Sequence, residues 1–378
     1  MYNQALRGIV FDPKQHNDPT DPMAIANQER ANGTRNFGVS IADLGAIGFG
    51  TEFAGTQSAV YLGTEGHPHL ASCNPRFVFD NPKLDRLITV TINREWDREE
   101  HEPRRGILLM GPTGAGKSTY FRERFARQGI PAVEMTWRSE MEAVDAIYTR
   151  ELIAGDVVLA PAAIQIAARG GYPVIIHEID NARPGQLIAL NEIFDTGTIT
   201  IPETGEVIHA KRGFAVYATC NSSFIEDRSG NYAGTRSQNV AVLRRFFKCK
   251  FEYADLAAEK AFIQKHFPDV KDDVAGQYAQ FVTYLRKASD PLGDGLSVSN
   301  SKKRLSLEFS RSHLLDWLSL TTSFAYLEQR QISVPKYALE PVYTAGLPDD
   351  EIATVEHLFD VAFGITPSDI TEKQPTTP

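Results

Sequence analysis

A glycine-rich stretch between residues 106 and 119 contains the side chains best suited to chemistry. Gly111, Gly116, Lys117 and Ser118 match the spacing G-x-x-x-x-G-K-[ST], and an apolar run precedes them. Glycines allow successive backbone N–H groups to surround a phosphate, and a helix that begins near the lysine directs the positive end of its dipole at the same anion. Because the lysine can reach the β- and γ-phosphates and the serine hydroxyl can bind Mg²⁺, the spacing predicts ATP and Mg²⁺ as cofactors.

The alternative interpretation of this stretch is a glycine-rich turn that contains a lysine by accident. The apolar run 107–110 favours the nucleotide-binding loop, because the motif requires a buried strand before it. The residues predicted to bind the nucleotide are Gly111, Pro112, Thr113, Gly114, Ala115, Gly116, Lys117, Ser118 and Thr119.

ATP hydrolysis also requires groups that orient water and neutralise charge on the γ-phosphate. Glu178 lies near the end of a continuous apolar run, 172–180, that predicts a central strand, and α/β sheets place ligand groups at such strand ends. Asn221 follows the next apolar run, 213–219. We predict that Glu178 is the catalytic carboxylate and that Asn221 orients the same water or contacts the γ-phosphate. The alternatives are a surface carboxylate at a strand end and an ordinary turn residue.

The elements that must position these residues alternate between strand and helix, which predicts an α/β fold with a parallel sheet flanked by helices. Ser139 and Glu142 predict a capped helix start, and the run 154–160 interrupts the helical pattern that follows. Further predicted strands cover 131–137 and 249–253, and a hairpin covers 198–201 and 206–209. Helices are predicted over 117–128, 186–194, 257–267, 274–288, 309–327 and 352–363.

These patterns predict four regions. They are an N-terminal segment of unassigned fold and partial flexibility (1–75), a nucleotide-binding core (76–254), an all-helical lid (255–365) and a disordered, polar tail (366–378). The composition shift near residue 36 is compatible either with a small N-terminal module or with a segment that wraps around the core.

Charge and cysteine content exclude several classes. A net charge of −9 disfavours broad, unspecific nucleic-acid binding, although a local basic pore stays compatible with it. The 3 cysteines contain no C-x-x-C pair, so they indicate neither a disulfide framework nor a zinc site. No apolar run approaches the ~20 residues of a membrane span and the N-terminus lacks the apolar region of a signal peptide, so we expect a cytoplasmic protein without membrane partners.

The order of the motifs resembles that of MoxR-type AAA+ ATPases, and within them most closely that of the ATPase subunit of aerobic cobaltochelatase. The resemblance extends over about 77–327. The residues that carry it are 111–119, Glu178-Ile-Asp180, Ala182-Arg-Pro184, the hairpin 197–211, Ala218-Thr-Cys-Asn221, Leu243-Arg-Arg-Phe246, and Ser310-Arg311 ahead of Trp317.

The resemblance implies a homo-hexameric ring with ATP bound between subunits. It assigns Arg245 as an arginine finger that acts on the neighbouring subunit, and Arg311 as the second sensor arginine of the helical lid. It also identifies 197–211 as the pre-sensor insertion and 148–160 as the insertion in the second core helix. Relatives commonly act with a partner that carries a von Willebrand factor A domain. The structural alternatives are a basic helix end for Arg245 and an exposed lid residue for Arg311.

His177 departs from the family pattern, in which an aspartate precedes the catalytic glutamate. The predicted Mg²⁺ residues are therefore Ser118, His177 and Glu178, but neutral imidazole offers one acceptor nitrogen and imidazolium would repel the ion. We expect Ser118, the phosphates and water to hold Mg²⁺ while His177 tunes the site. In the alternative, Asp180 replaces the missing carboxylate, which would require the strand to continue to that residue.

The sequence thus predicts an AAA+ ATPase that remodels a partner protein. The alternatives are a cobaltochelatase subunit that drives metal insertion and a ring that binds ATP, hydrolyses it weakly and acts as a scaffold. A DNA-translocating motor is disfavoured by the acidic net charge.

Overall fold

The structure is a computed structural model that describes residues 2–9, 20–99, 102–183, 185–221, 240–289, 305–330 and 332–364. The predicted disordered tail, 366–378, and Pro184 of the family motif lie outside these residues. The chain divides into two compact units. The first unit comprises Met1–Gly111 with Lys117–Phe251, and the second comprises Pro112–Gly116 with Glu252–Pro378.

The strands are β1 (Gly38–Asp43), β2 (Gln57–Leu62), β3 (Gly106–Met110), β4 (Val133–Thr136), β5 (Tyr148–Ile153), β6 (Asp156–Pro161), β7 (Val174–His177), β8 (Thr198–Ile201), β9 (Glu206–His209), β10 (Val216–Cys220) and β11 (Phe246–Lys250). The helices are α1 (Pro22–Ala31), α2 (Pro82–Asp97), α3 (Lys117–Arg127), α4 (Ala163–Gly170), α5 (Asn191–Thr196), α6 (Val240–Leu243), α7 (Leu256–His266), α8 (Asp272–Ser289), α9 (Arg311–Ser323), α10 (Val334–Val342) and α11 (Asp349–Phe363).

A five-stranded parallel sheet forms the framework of the first unit, with the strand order β11-β3-β10-β7-β4. Its middle strands are mostly apolar, and residues such as Leu109 and Ile175 have no exposed surface. Such burial on both faces is what a parallel sheet covered by helices requires. The predicted α/β fold with a parallel sheet flanked by helices, followed by a helical C-terminal region, is confirmed.

The described residues of the N-terminal region pack on the core of the same unit. β1 and β2 form an antiparallel hairpin. Phe37 stacks on Tyr61 with ring centroids 4.1 Å apart, and the Tyr61 backbone N–H donates to the carbonyl oxygen of Gln128 at the end of α3. Asp21 accepts from the Met23 backbone N–H and caps α1, a helix that the polar composition of this region did not predict.

The helix predicted to begin at Ser139 is wrong. Glu142 and Asp145 form a capping box, but it closes only a single 3₁₀ turn, Ala143–Ala146, and the chain then enters β5. β5 and β6 pair as a hairpin in which Ala154 and Gly155, with φ of 53° and 97°, form the two-residue connection. Two consecutive positive φ values match the turn that suits the twist of a hairpin, so this local geometry overrides the helical pattern. The predicted hairpin at 198–209 is present as β8 and β9.

The second unit is helical and has its own apolar core. Trp317 is fully buried among Phe281, Phe309 and Phe359, and its indole N–H donates to the carbonyl oxygen of Pro335 at 2.7 Å. The predicted helices of this region correspond to α7, α8, α9 and α11 with shifted ends. α10 was not predicted, because prolines near its start and in its interior hide the helical pattern. Among the described residues, no helix is both long enough and apolar enough to cross a membrane.

A matched pair of valines on α11 tests the helical core. Val355 is fully buried in it, whereas Val361 is 52% exposed. We expect Val355→Ala to lower the free energy of unfolding by about 2 kcal/mol, because two methyl groups leave the core and a cavity stays. Val361→Ala should change it by less than about 0.5 kcal/mol. Urea denaturation followed by circular dichroism measures both values, and equal effects would contradict the packing described.

Candidate active site

The ammonium group of Lys117 joins the glycine-rich loop to the neighbouring strand. Lys117 is the first residue of α3 and is only 6% exposed. Its Nζ donates to the carbonyl oxygen of Gly111 at 2.7 Å and to Oδ1 of Asn221 at 2.9 Å. Asn221 directly follows β10, which lies beside β3 in the sheet. The structure therefore brings together Lys117 and Asn221, two residues predicted to act on the same phosphates.

Close backbone approach explains the first glycine of the motif. A Cβ atom on Gly111 would lie 1.9 Å from the carbonyl oxygen of Phe251, a distance that no side chain tolerates. The Gly111 backbone N–H donates to the carbonyl oxygen of Cys220, the last residue of β10. The glycine thus lets the chain leave β3 in direct contact with two neighbouring backbone segments.

The middle of the loop, Pro112–Gly116, contacts residues of the second unit, to which it belongs. Gly114 and Gly116 have φ of 71° and 100°, which side chains with a Cβ rarely adopt. The backbone N–H of Arg311 donates to the carbonyl oxygen of Gly114 at 3.3 Å, and the Tyr253 hydroxyl donates to that of Thr113 at 2.8 Å. The start of α9 is therefore in contact with the loop.

His177 lies beside the P-loop serine and uses both ring nitrogens. Its Nδ1 is 2.9 Å from Oγ of Ser118, and its Nε2 is 3.0 Å from Oε2 of Glu134 on β4. Glu134 in turn accepts two hydrogen bonds from the Arg122 guanidinium, at 2.9 and 2.7 Å. Burial raises the pKa of Glu134, but the hydrogen bonds from Arg122 and His177 outweigh it and lower this pKa to about 2. The carboxylate is therefore ionised at neutral pH.

Sequence reasoning missed Glu134. The only indication in the sequence was one charged residue within a short predicted strand. Its contact with His177 depends on the parallel pairing of β4 with β7. The register sets Thr136 opposite His177, and this pairing brings the β4 side chains next to the end of β7. The linear sequence does not contain that register.

Glu178 stands at a sharp backbone turn instead of continuing the strand. β7 ends at His177, and Glu178 has φ 53° and ψ 43°, one of two non-glycine residues with positive φ in the described part of the chain. Its side chain is exposed, and Oε2 accepts a hydrogen bond from Asn181 at 3.0 Å. Because left-handed backbone at a non-glycine residue costs free energy, it is typical of functional sites.

Asp180 does not face the same side as Glu178. The strand predicted over 172–180 is shorter than expected, and residues Ile179–Asn181 form a 3₁₀ turn. Asp180 is buried, and its Oδ2 accepts a hydrogen bond from the backbone N–H of Asn221 at 3.0 Å. The alternative in which Asp180 replaces the missing Mg²⁺ carboxylate needs a strand that is not there. Asp180 instead holds the end of β10.

Arg245 lies at the opposite end of the sheet from the P-loop. It directly precedes β11, whose first residue, Phe246, pairs with Gly106 at the start of β3. The four residue-to-residue steps along β3, about 13 Å in total, separate this end from the carboxyl end that leads into the loop. The Arg245 guanidinium donates from Nε and Nη2 to Oδ2 of Asp195, at 2.9 and 2.6 Å. Within the first unit, Arg245 is thus not brought to Lys117, whereas Glu178 and Asn221 follow the carboxyl ends of neighbouring strands.

Arg311 is held by a buried carboxylate in the second unit. Its Nε lies 3.1 Å from Oε1 of Glu259, and its guanidinium stacks 4.8 Å from the ring centroid of Phe262. Glu259 has no exposed surface and also pairs with Arg286, at 2.6 Å. One carboxylate therefore orients two arginines, and its burial strengthens both ion pairs.

The donor set fits a Mg²⁺-bound nucleotide. Mg²⁺ prefers oxygen ligands and keeps several waters, and the Ser118 hydroxyl and the exposed Glu178 carboxylate supply oxygens. Among the described residues, no three His, Cys, Asp or Glu side chains cluster as a metal site. Mg²⁺ would therefore be held mainly by Ser118 and by phosphate oxygens. Both nitrogens of His177 are already engaged, so we interpret this residue as a partner of Ser118 and not as a ligand.

Comparison with known proteins identifies the family. Residues 106–246 match the model of the AAA domain, dynein-related subfamily. An uncharacterized protein of Staphylococcus haemolyticus is 30% identical over 191 residues, which cover 49% of this chain and 70% of that relative. The chain belongs to the AAA family, in its dynein-related, MoxR-like branch. The resemblance inferred from the motifs is confirmed.

Two named relatives of this AAA protein are more distant. NorQ of Paracoccus denitrificans is 28% identical over 160 residues, covering 42% of this chain and 57% of NorQ. The aerobic cobaltochelatase subunit CobS of a Sinorhizobium species is 23% identical over 194 residues, covering 48% of this chain and 54% of CobS. The chain thus spans little more than half the length of either relative.

Lys117→Ala tests the AAA site directly. The lysine is expected to make charge-assisted hydrogen bonds to the nucleotide, each worth about 1.5–3 kcal/mol, so we expect the affinity for ATP to fall by about 100-fold. Lys83→Ala, which removes an exposed lysine from α2, should leave the affinity unchanged. Titration of purified protein with a fluorescent ATP analogue measures both, and equal affinity of the two variants would contradict the assignment of the loop.

Proposed function

We propose that this AAA protein binds ATP and hydrolyses it between the subunits of a ring in order to remodel a partner protein. The observation that carries the proposal is the distribution of charged groups over the sheet. Lys117, Ser118, Glu178 and Asn221 gather at the carboxyl ends of β3, β7 and β10, whereas Arg245 lies at the opposite end of β11. A second copy would supply the missing arginine to the γ-phosphate.

Each residue of the site has a distinct proposed role. Lys117 exchanges its bonds to Gly111 and Asn221 for bonds to the β- and γ-phosphates. Asn221 is then released to orient the attacking water or to contact the γ-phosphate. Glu178 accepts the proton of that water as its oxygen bonds to the γ-phosphorus and the bond to the ADP oxygen breaks. Ser118 would help to hold Mg²⁺ at the phosphate oxygens, where the ion would supply positive charge.

The ring and its partner are proposals with different support. The position and charge of Arg245 support assembly of copies of this chain, and the resemblance to MoxR-type proteins supports six of them. The same resemblance supports a partner with a von Willebrand factor A domain. The match to a cobaltochelatase subunit favours metal insertion into a target as a second candidate function.

The second kind of candidate function is not enzymatic: a ring that binds ATP, hydrolyses it weakly and acts as a nucleotide-gated scaffold. It is favoured by the hydrogen bond between Ser118 and His177, because an imidazole lies beside the P-loop serine at the position where the resemblance to MoxR-type proteins implies a carboxylate. Measurement of phosphate release under saturating ATP separates the two functions. A scaffold would bind ATP and release no phosphate above the level of a Glu178→Gln variant.

Glu178→Gln is expected to reduce phosphate release by about 100-fold or more, since the amide cannot accept the proton of the attacking water. ATP affinity should stay within about threefold of wild type, because the charge of Lys117 is unchanged. Phosphate release and nucleotide titration on the same preparation measure the two effects. Loss of affinity together with turnover would show that Glu178 binds the nucleotide instead of acting on the water.

Arg245→Ala is expected to preserve ATP affinity and to lower hydrolysis by about 100-fold or more, because a finger arginine acts only on the transition state. Arg244→Ala is the matched control: this neighbour is exposed, and it should retain hydrolysis. Mixing the Arg245→Ala and Lys117→Ala proteins should restore part of the phosphate release, because some interfaces then pair an intact loop with an intact arginine. No restoration in assemblies shown to exchange subunits would contradict the role across subunits.

A further inference from the structure

A continuous line of hydrogen bonds leads from the P-loop serine to a carboxylate on another strand. It passes from Oγ of Ser118 to Nδ1 of His177 at 2.9 Å, and from Nε2 of His177 to Oε2 of Glu134 at 3.0 Å. Arg122 closes the line with two hydrogen bonds to Glu134. The imidazole is largely buried, with 12% of its side chain exposed, so its orientation is set by these contacts.

The ionised Glu134 fixes the direction of its hydrogen bond with His177, and the proposal below requires a neutral imidazole, which fixes the direction of the other. An ionised carboxylate can only accept, so the proton between His177 and Glu134 must lie on Nε2 of the imidazole. In a neutral imidazole the other nitrogen then carries a lone pair, and Nδ1 accepts the hydroxyl proton of Ser118. With its proton directed at the ring, the Ser118 oxygen keeps its lone pairs for another ligand.

We propose that Glu134, acting through His177, is a positioning residue that orients the Ser118 hydroxyl for the Mg²⁺ ion of the bound nucleotide, an inference that rests on the proposed ATP binding. The imidazole does not replace the carboxylate of the relatives by itself. The carboxylate of Glu134 on β4 takes that role through the imidazole, which lies between this carboxylate and Ser118. Hydrogen-bonded partners behind a metal ligand commonly determine its orientation and basicity in this way.

The competing explanation is that Glu134 only forms a surface ion pair with Arg122. The Arg122 side chain is 45% exposed, and such pairs contribute little to stability. This explanation assigns Glu134 no influence on Mg²⁺. The two explanations therefore differ in the dependence of nucleotide affinity on Mg²⁺, a quantity that does not require turnover.

The test compares the affinity for a fluorescent ATP analogue in excess Mg²⁺ with that in EDTA, and takes the ratio as the Mg²⁺ effect. In Glu134→Ala we expect affinity in EDTA to match wild type and the Mg²⁺ effect to fall by about tenfold. Glu134→Gln keeps an acceptor oxygen for Nε2 of His177 and should lose less than about threefold. Glu192→Ala, which removes an exposed glutamate from α5, is the matched control and should behave as wild type.

The decisive comparison repeats the Glu134→Ala measurement in a protein that also carries His177→Asp. It places a carboxylate beside Ser118, so the Mg²⁺ effect should equal or exceed that of wild type, and adding Glu134→Ala should then change nothing. A tenfold loss in the wild-type background and none in the H177D background would support the proposal. Equal losses in both backgrounds, or no loss in either, would overturn it. Circular dichroism and thermal unfolding of each variant establish that the fold is retained.

Failure of the proposed function gives a different result. If wild type binds no nucleotide in either condition, both proposals fall. If it binds equally well with and without Mg²⁺, nucleotide binding stands and the role of Glu134 is overturned. The ¹⁵N spectrum of the His177 ring gives an independent readout: the proposal requires protonated Nε2 and bare Nδ1 in wild type, and a mixture of tautomers in Glu134→Ala. An unchanged spectrum in that variant would also overturn it.

Discussion

The arrangement of the site depends on the burial of the Lys117 ammonium group. Removing a charge from water costs several kcal/mol unless the group is paired and hydrogen-bonded. Lys117 meets that requirement with the carbonyl oxygen of Gly111 and the amide oxygen of Asn221. These bonds connect the end of β3 with the end of β10, and both acceptors are neutral. These two neutral acceptors solvate the ammonium group without cancelling its charge, so the group can attract an anionic phosphate.

The parallel sheet is what allows one lysine to meet these partners. Parallel strands place their carboxyl ends at one edge, and β3, β10 and β7 are neighbours. Lys117, Glu178 and Asn221 each follow one of these strands, although 104 positions separate the first from the last. The left-handed backbone of Glu178 and the burial of Asp180 end β7 in a way that exposes one carboxylate and commits the other to the backbone of Asn221. Two acidic residues two positions apart thus acquire different functions.

Carboxylates orient three arginines of the two units. Asp195 binds Arg245 with two hydrogen bonds, and the fully buried Glu259 binds both Arg311 and Arg286. A long flexible side chain loses up to about 2 kcal/mol of conformational free energy when it becomes ordered, and an ion pair in place before binding removes part of that cost. The same physical device recurs at His177, where Glu134 orders an imidazole instead of a guanidinium.

The sequence by itself determined the parts of this protein that depend on local spacing. The glycine and lysine spacing of the loop, the apolar runs of the central strands and the helical periodicity after residue 254 each require only neighbours along the chain. They were enough to predict the fold class and the family. The tertiary structure decided which side chains meet. Glu134 reaches His177 only because β4 pairs with β7, and the Tyr61 backbone meets Gln128, the residue after α3, only because the N-terminal hairpin folds back. Residues 143–153 form a turn and a strand because their hairpin partner, β6, outweighs a local helical pattern. Contacts of this kind join residues far apart in the chain, and they stabilise the fold only after the strands have paired in the correct register.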